Sequence, residues 1–316
     1  MAGPRKRDKD PIGGNPGRAG FKTLVVSTDF TPGAAWAAGR AALLPFVPGG
    51  KVLLLHVLPD GIPADLHGRA DRDARRSLDE VVLPAFRTAM AAGGCGAAAI
   101  PVVRVGMPYV EIIRESRARA ADLIVLGRHG RRGIRDLFLG STAERVIRMG
   151  GTPVLIVNGK PSHPYRRVLI ALDLGDTSPA TVELALRAAG PGAAETFILH
   201  ACAMPFQGFI ASGLTSAELD AYRRDSRAAS LSRLRGFLES LGDRGVRWKA
   251  TVRSGDPRVE ILREAGRRRA DLIVLGTHGR TGVSHTLLGS VAEWIVRRAA
   301  RDVLVARAAP VSFDSP

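Results

Sequence analysis

The sequence predicts an α/β protein made of two tandem units, each a doubly wound parallel sheet of five strands. The first observation behind this is an internal duplication. Residues 127–148 read GRHGRRGIRDLFLGSTAERVIR, and residues 276–297 read GTHGRTGVSHTLLGSVAEWIVR. Without gaps, Gly127, Gly130, Gly133 and Gly140 align with Gly276, Gly279, Gly282 and Gly289, and Ser141 and Glu144 align with Ser290 and Glu293. The lead-in ADLIVLG is identical at 121–127 and 270–276. Such self-similarity at the spacing of a small domain marks a repeated unit. The second observation is that apolar runs alternate with helical stretches in both halves, the pattern of βαβ crossovers and a parallel sheet. The third is that the strands are continuous apolar runs, as expected where helices cover both faces.

In the first half FKTLVVS (21–27) is β-branched and apolar and reads as a strand. The helical stretch 31–44 follows, with Thr31 as its N-cap and Pro32 at its first position. KVLLLHV (51–57) is the second strand, and a long charged helical segment covers about 69–92. AAIPVVRV (98–105), the helix 108–120 and DLIVLG (122–127) follow. The glycine loop, a helix from Ser141 to Met149 and TPVLIVN (152–158) close the half. The second half repeats the order through RRVLIALD (166–173), helix 178–190, ETFILHA (195–201), helix 216–241, a strand from 246, helix 257–270, DLIVLG (271–276), the glycine loop, a helix and DVLVAR (302–307). The expected organisation is a basic disordered tail over 1–20, domains over 21–158 and 166–307, a linker over 159–165 and a tail over 308–316.

Length and composition fit this plan. At 316 residues the chain has room for about two domains of ordinary size. Hydrophobic residues make up 45% and charged residues 24%, the balance of a soluble globular protein. No apolar run is long enough to span a membrane. The first twenty residues are basic and rich in Pro and Gly and lack the apolar core of a secretory signal, so the expected location is cytoplasmic. Cys95 and Cys202 sit at non-equivalent places, which argues against a repeated disulfide framework. The net charge of +16 raises nucleic acid as a partner. Against that, the arginines (Arg114, Arg117, Arg119, Arg263, Arg267, Arg268 and Arg269) are spread over helix faces, and aromatics for stacking are only 5%. A solvated basic surface is the better reading, and nucleic acid is disfavoured.

In a doubly wound sheet ligands sit beyond the carboxyl ends of the strands, where the strand order reverses. With the order 3-2-1-4-5, Asp29 and the loop Gly127–Ser141 flank one such crevice, and Asp173 and Gly276–Ser290 flank another. The loop pattern is Gly, two residues, Gly, nine residues, Gly-Ser. Glycine allows close backbone approach, and a helix opening at Gly-Ser presents free N–H groups to an anion. This is phosphate-holding chemistry without the lysine of a P-loop, and after the fourth strand rather than the first. A plainer reading stands beside it. Both Ser141-Thr-Ala-Glu144 and Ser290-Val-Ala-Glu293 have the S-x-x-E form of a capping box, so the serines could be N-caps and the glycines turns. Asp29 and Asp173 could likewise close the turn that follows them. His56 and His200 recur at the end of strand two as packed or hydrogen-bonded residues without a metal-like cluster. His129 and His278 lie inside the loops, where a phosphate-side role and simple turn exposure both fit. The first loop carries Arg128, Arg131 and Arg132, which either add charge near a phosphate or belong to the surface.

From LVVSTDF (24–30), VLLLHV (52–57), VGMP (105–108), the long segment 122–147 and their counterparts 168–173, 271–296 and 302–307, the chain resembles the universal stress protein family in a tandem two-domain, ATP-binding form. The resemblance covers about residues 21–307. It implies an adenine nucleotide alpha hydrolase-like, Rossmann-like fold and adenine nucleotide binding. Carried over residue by residue, it implies that Gly127, Gly130, Gly140 and Ser141, with Gly276, Gly279, Gly289 and Ser290, hold ribose and phosphates. It further implies that Asp29 and Asp173 line the nucleoside pocket and that Val57 and Ala201 pack at the adenine. The implied ligand is ATP, with Asp29 and Asp173 as candidates to hold Mg²⁺. The family's pairing through last strands implies an intramolecular pseudo-dimer between 152–158 and 302–307, with room for further association of two chains.

The function this suggests is an ATP-binding stress-response or regulatory protein, with slow hydrolysis at most, since nothing marks a catalytic base. The alternative is an interaction module whose paired halves serve a protein partner without nucleotide.

Overall fold

The computed structural model describes residues 20–93, 96–128, 140–190, 195–202, 215–244, 246–277 and 288–307. In the first half the elements are β1 (Phe21–Ser27), α1 (Pro32–Ala42), β2 (Phe46–Leu58), α2 (Ala64–Ser77), α3 (Leu83–Gly93), β3 (Ala97–Val105), α4 (Pro108–Ala118), β4 (Leu123–Gly127), α5 (Ser141–Met149) and β5 (Val154–Val157). In the second they are β6 (Arg167–Ala171), α6 (Ser178–Ala189), β7 (Glu195–Cys202), α7 (Ser216–Leu241), β8 (Trp248–Ser254), α8 (Pro257–Arg268), β9 (Leu272–Gly276), α9 (Ser290–Arg298) and β10 (Asp302–Ala306).

The ten described strands form one sheet in the order β3-β2-β1-β4-β5-β10-β9-β6-β7-β8. Each half therefore has the expected order 3-2-1-4-5, read in opposite directions from the middle. Within a half every pairing is parallel. At the seam β5 and β10 pair antiparallel, with Leu155 opposite Leu304. Alternate strand residues enter two apolar cores on opposite faces of the sheet. Leu24, Val26, Leu155 and Leu304 belong to one, and Val25, Ile124, Val154 and Val303 to the other. Both cores run through both halves, so burial of apolar surface favours the paired arrangement as well as each half.

Several elements differ from the sequence reading in instructive ways. The charged helical segment begins earlier, at Ala64, and α2 passes into α3 through one π turn over Leu78–Val82. β2 starts at Phe46, five residues before the apolar run, with an irregular register between Phe21 and Thr23. On α4 and α8 the arginines are not simply solvated. Arg114 pairs with Glu111, Arg263 with Glu260, Arg104 and Arg119 with Glu115, and Arg253, Arg267 and Arg268 with Glu264. All four glutamates are buried, so the arginines compensate carboxylates that burial alone would penalise.

The seam carries two polar clusters. On one, Asp302 at the start of β10 accepts from Arg40 Nε at 3.0 Å, Tyr165 Oη at 2.7 Å and the Asn158 backbone N–H at 2.9 Å. The Arg40 guanidinium also lies 4.1 Å from the centre of the Tyr165 ring and donates to His163 O. Burial pushes the Tyr165 hydroxyl well above its usual range, and the Asp302 charge adds to this. The matching position, just before β5, is Pro153, which has no side-chain acceptor. On the other, Arg148 and Arg297 each bridge Glu144 and Glu293 at 2.8–3.2 Å, so α5 and α9 are joined by a closed ring of charges.

Candidate functional site

The first strand of each half ends in the same corner. Thr28 N–H donates to Leu55 O, and Leu172 N–H to Leu199 O, at 2.8 and 2.9 Å. The next residue is the aspartate. Asp29 Oδ1 accepts from Thr31 N–H at 3.1 Å and from Thr31 Oγ1 at 2.5 Å. Asp173 Oδ1 accepts from Gly175 N–H and Ser178 Oγ, both at 3.1 Å. The turn-closing role considered for these aspartates is therefore present, and it uses one carboxylate oxygen; among the described residues neither Oδ2 has a hydrogen-bond donor. After each aspartate comes a non-glycine residue in the left-handed region, Phe30 at φ 63° and Leu174 at φ 60°. Such residues are uncommon and cost about 1–3 kcal/mol each, so a fold that keeps the same one twice has packed around it.

His56 and His200 hold this corner from strand two. Their Nδ1 atoms lie 2.8 Å from Thr28 O and Leu172 O. A carbonyl only accepts, so Nδ1 carries the proton in both. The Phe30 ring stacks on the His56 ring at 4.4 Å between centroids. Both histidines are thus hydrogen-bonded packing residues that fix the aspartate turn.

The base of the glycine loop is equally regular. Arg128 N–H donates to Val157 O at 3.1 Å, and Arg128 O accepts from Gly140 N–H at 3.0 Å. In the second half Thr277 N–H donates to Ala306 O at 3.0 Å, and Thr277 O accepts from Gly289 N–H at 2.7 Å. Each loop is therefore pinched shut where it leaves β4 or β9 and where it enters α5 or α9. Gly127 also has a packing reason of its own, because a Cβ there would fall 2.5 Å from Gly33 O at the start of α1. Gly130, Gly133, Gly279, Gly282, His129, His278, Arg131 and Arg132 lie outside the described residues.

The capping-box reading of the serines is corrected. The N-caps are Gly140 and Gly289, with extended backbone at ψ 139° and 144°, and Ser141 and Ser290 are the first helical residues. Being glycines, the two N-caps offer no side chain to their helices. Glu144 and Glu293 turn away from the helix starts into the charge ring at the seam. Thr31, Thr215 and Asp256 do supply side-chain caps to α1, α7 and α8. Among the described residues no side chain accepts from the first-turn N–H groups of α5 or α9, the arrangement that favours an anion. Arg128, considered for a phosphate role, instead sends its guanidinium across the seam to Ala299 O at 3.0 Å and to Arg297 O.

In the second half these parts surround one cavity of about 430 Å³. Asp173, Ala201, Gly276, Gly289 and Ser290 all line it. Leu199, Ile261, Leu275 and Val291 give it an apolar wall, and Thr177, Ser178, Thr181 and Thr277 add hydroxyls. The volume lies within the range of small-molecule sites, and a mostly apolar lining with a few converging polar groups is their usual character. In the first half Asp29, Val57, Gly127, Gly140 and Ser141 hold the matching places at the ends of β1, β2 and β4 and the start of α5. Val57 is buried, while Ala201 is half-buried. Among the described residues no group of three or more His, Cys, Asp or Glu could hold a metal ion. None of the described helices is long and apolar enough to cross a membrane.

Sequence reasoning missed the hydroxyls that orient the aspartates. D-F-T-P and D-L-G-D-T-S-P place Thr31 and Ser178 before a helix-opening Pro in both halves, and that shared T/S-P was the available signal. It also missed Thr277, which is 2% exposed.

Fold and site together define a tandem α/β protein with a ligand-sized crevice at the switch point of a duplicated doubly wound sheet. The universal stress protein family model matches residues 20–158 and again 164–307. The chain belongs to the universal stress protein family, in tandem form. A universal stress protein of Mycolicibacterium smegmatis is 30% identical over 207 residues, covering 62% of this chain and 68% of the relative. One from Mycobacterium tuberculosis is 27% identical over 191 residues, and the match spans 62% of that relative's length. Among solved structures, a universal stress protein from Archaeoglobus fulgidus superposes with a TM-score of 0.65 at 21% identity, covering 91% of this chain and 98% of that one.

Proposed function

We propose that the chain is an ATP-binding universal stress protein with a nucleotide site in each half, acting as a regulatory protein. The observation that carries this reading is the second-half cavity, which joins an apolar wall to a helix start whose N-cap is a glycine. The adenine would lie against Ala201 and its apolar neighbours, with Val57 in the equivalent place. The ribose and phosphates would take Gly276, Gly279, Gly289 and Ser290, and in the first half Gly127, Gly130, Gly140 and Ser141. Asp29 and Asp173 would face the nucleoside. Bound ATP supplies an adenine for the apolar wall and a phosphate chain whose charge the helix dipole stabilises. A magnesium ion would take an aspartate as its protein ligand and complete its shell with water and phosphate oxygens.

The chemistry of the aspartates favours holding over turnover. Asp173 Oδ1 already accepts two hydrogen bonds and Asp29 Oδ1 does the same. Each of these oxygens is thus already engaged in closing its turn. Slow hydrolysis at most is therefore the expected activity.

Titration of the full chain with ATP tests the reading. The expected result is saturable binding that falls in Gly140→Val and in Gly289→Val and is lost in the double variant. Wild-type protein that takes up no ATP at millimolar concentration overturns it and leaves the loops as turns of an interaction module.

A further inference from the structure

The geometry points to Ala201 as a specificity-determining residue that lets the second crevice take a purine nucleotide with a larger base than the first accepts. The inference rests on the nucleotide reading of both crevices and names the ligand class that separates them. Ala201 lies near the end of β7 and lines the second cavity. Val57 holds the same place in β2. The neighbouring strand shows the equivalence. Val57 is opposite Arg104 in β3, Ala201 is opposite Arg253 in β8, and these arginines pair with the matching glutamates, Glu115 and Glu264. Residues two apart on a strand share a face. Val57 therefore stands beside Leu55, and Ala201 beside Leu199, on the same face of the sheet.

The rest of the wall does not make up the difference. Leu199, Ile261 and Leu275 wall the second cavity, and the matching first-half residues are Leu55, Ile112 and Leu126, the same residue type at each place. Val291 stands where the first half has Thr142, a change of polarity rather than of size. Ala201, by contrast, lacks both γ-methyl groups of Val57. The next residue shrinks as well, because Cys202 lines the cavity where the first half has Leu58. Val57 is 8% exposed and belongs to the apolar core of that face, whereas Ala201 is half-buried. The space left by the missing methyl groups thus opens into the cavity instead of forming a closed void.

The helices beside this place also differ between the halves. In the first, the Arg145 guanidinium of α5 lies 5.0 Å from the centre of the Tyr109 ring of α4, which ties the two helices together near their starts. In the second, the residues at those places turn to their own helices. Arg258 pairs with Asp256, the N-cap of α8, and Trp294 lies under Arg298 at 5.1 Å. Pro257 of α8 and Val291 of α9 both line the cavity, so the untied side borders it. A purine nucleotide with a short alkyl group on its base meets open space at Ala201. At Val57 the same group meets two methyl groups.

The test titrates the full chain with ATP and with two analogues that carry an ethyl group on N6 or on C2 of the adenine. ATP is expected to fill both halves. At least one analogue is expected to bind one half as ATP does and the other about tenfold more weakly, the lower end of what one misplaced methylene costs in an apolar pocket. Ala201→Val removes the tight analogue site and keeps ATP, since valine is the residue that the first half carries there. Val57→Ala admits the analogue to the first half as well. Should Ala201→Val lose ATP too, Val57→Ala decides: tight analogue binding in both halves supports the inference, and in one half overturns it. Analogues that bind both halves of wild type as ATP does, or neither half, overturn the inference and leave the nucleotide reading standing. So does tight analogue binding that survives Ala201→Val. Wild type that takes up no ATP overturns the nucleotide reading itself, and the inference with it.

Discussion

Asp29 and Asp173 end the first strand of their halves, and each closes its turn on a hydroxyl, Thr31 or Ser178. Pro153 and Asp302 hold matching places at the last strands and do unrelated work. Pro153 only passes its carbonyl to Ile124 N–H at 2.9 Å, whereas Asp302 gathers Arg40, Tyr165 and Asn158. The contrast between crevice and seam separates two demands on a duplicated chain. The crevice repeats its aspartate turn, its histidine and its pinched loop, as two sites for similar ligands would. The seam needs each half to recognise the other, and there the copies have diverged into complementary parts. Arg128 against Thr277 and Asp302 against Pro153 are the clearest cases.

The largest effect is expected where the seam is most one-sided. Asp302→Ala leaves the Arg40 guanidinium buried without its carboxylate and the Tyr165 hydroxyl without its acceptor. Breaking a buried pair from one side costs about 3–5 kcal/mol. Chemical denaturation should show a loss of that size; a change within error would mean the cluster is not the clasp of the seam.

Next comes Gly127→Ala, where the added methyl meets Gly33 O at 2.5 Å and the backbone of β4 or α1 must shift. Overpacking of this kind costs about 1–3 kcal/mol. An unchanged melting temperature would assign Gly127 to ligand approach alone.

The two aspartate turns sharpen the comparison further. Thr31 both orients Asp29 and caps α1 by accepting from Ala34 N–H, whereas Ser178 orients Asp173 while Thr177 is the N-cap of α6. Thr31→Ala is expected to lose a cap worth about 0.5–2 kcal/mol on top of one hydrogen bond. Ser178→Ala should lose only the hydrogen bond, about 0.5–1.5 kcal/mol. Equal losses in urea melts would show that the turns do the same structural work.

The smallest effect is set by pH. Burial works against ionisation of Glu264, but Arg268 and Arg253 overcome it and hold the carboxyl below its ordinary value. The lowered value means the stabilisation is present above the ordinary glutamate pKa of about 4.3 and is lost as pH falls through the folded-state value. Wild type should therefore be more stable than Glu264→Gln at neutral pH, with the gap closing in acid. A gap that stayed constant down to pH 3 would remove the carboxylate from the account.

Much of the crevice was legible because its signals are local. The T-P at 31–32 announced a cap and a helix start that the structure keeps, and the apolar runs located the strands. Helix 216–241 keeps the bounds read for it, and Thr215 and Glu218 form a capping box at its start with Gly242 following its end. Ser141 and Ser290 misled because an S-x-x-E pattern does not by itself make a capping box. A glycine one residue earlier took the cap, and an arginine in the other half took the glutamate. The pairing of the last strands was expected from the family resemblance and is present, but the polar contacts across the seam were illegible for a different reason. Arg40 meets Asp302 across 262 positions, and Arg128 meets Ala299 across 171, with no pattern in either segment that names the partner. Likewise the arginines of α4 and α8 read as surface charge until their buried glutamates are seen beneath them.

The most direct test of the central claim is to denature freshly purified protein and identify the small molecules released by mass spectrometry, with added ATP as a second step. The account expects adenine nucleotide in each half, at a stoichiometry of about two per chain when both sites are saturated. Protein that releases no nucleotide and takes up none when ATP is added would contradict it.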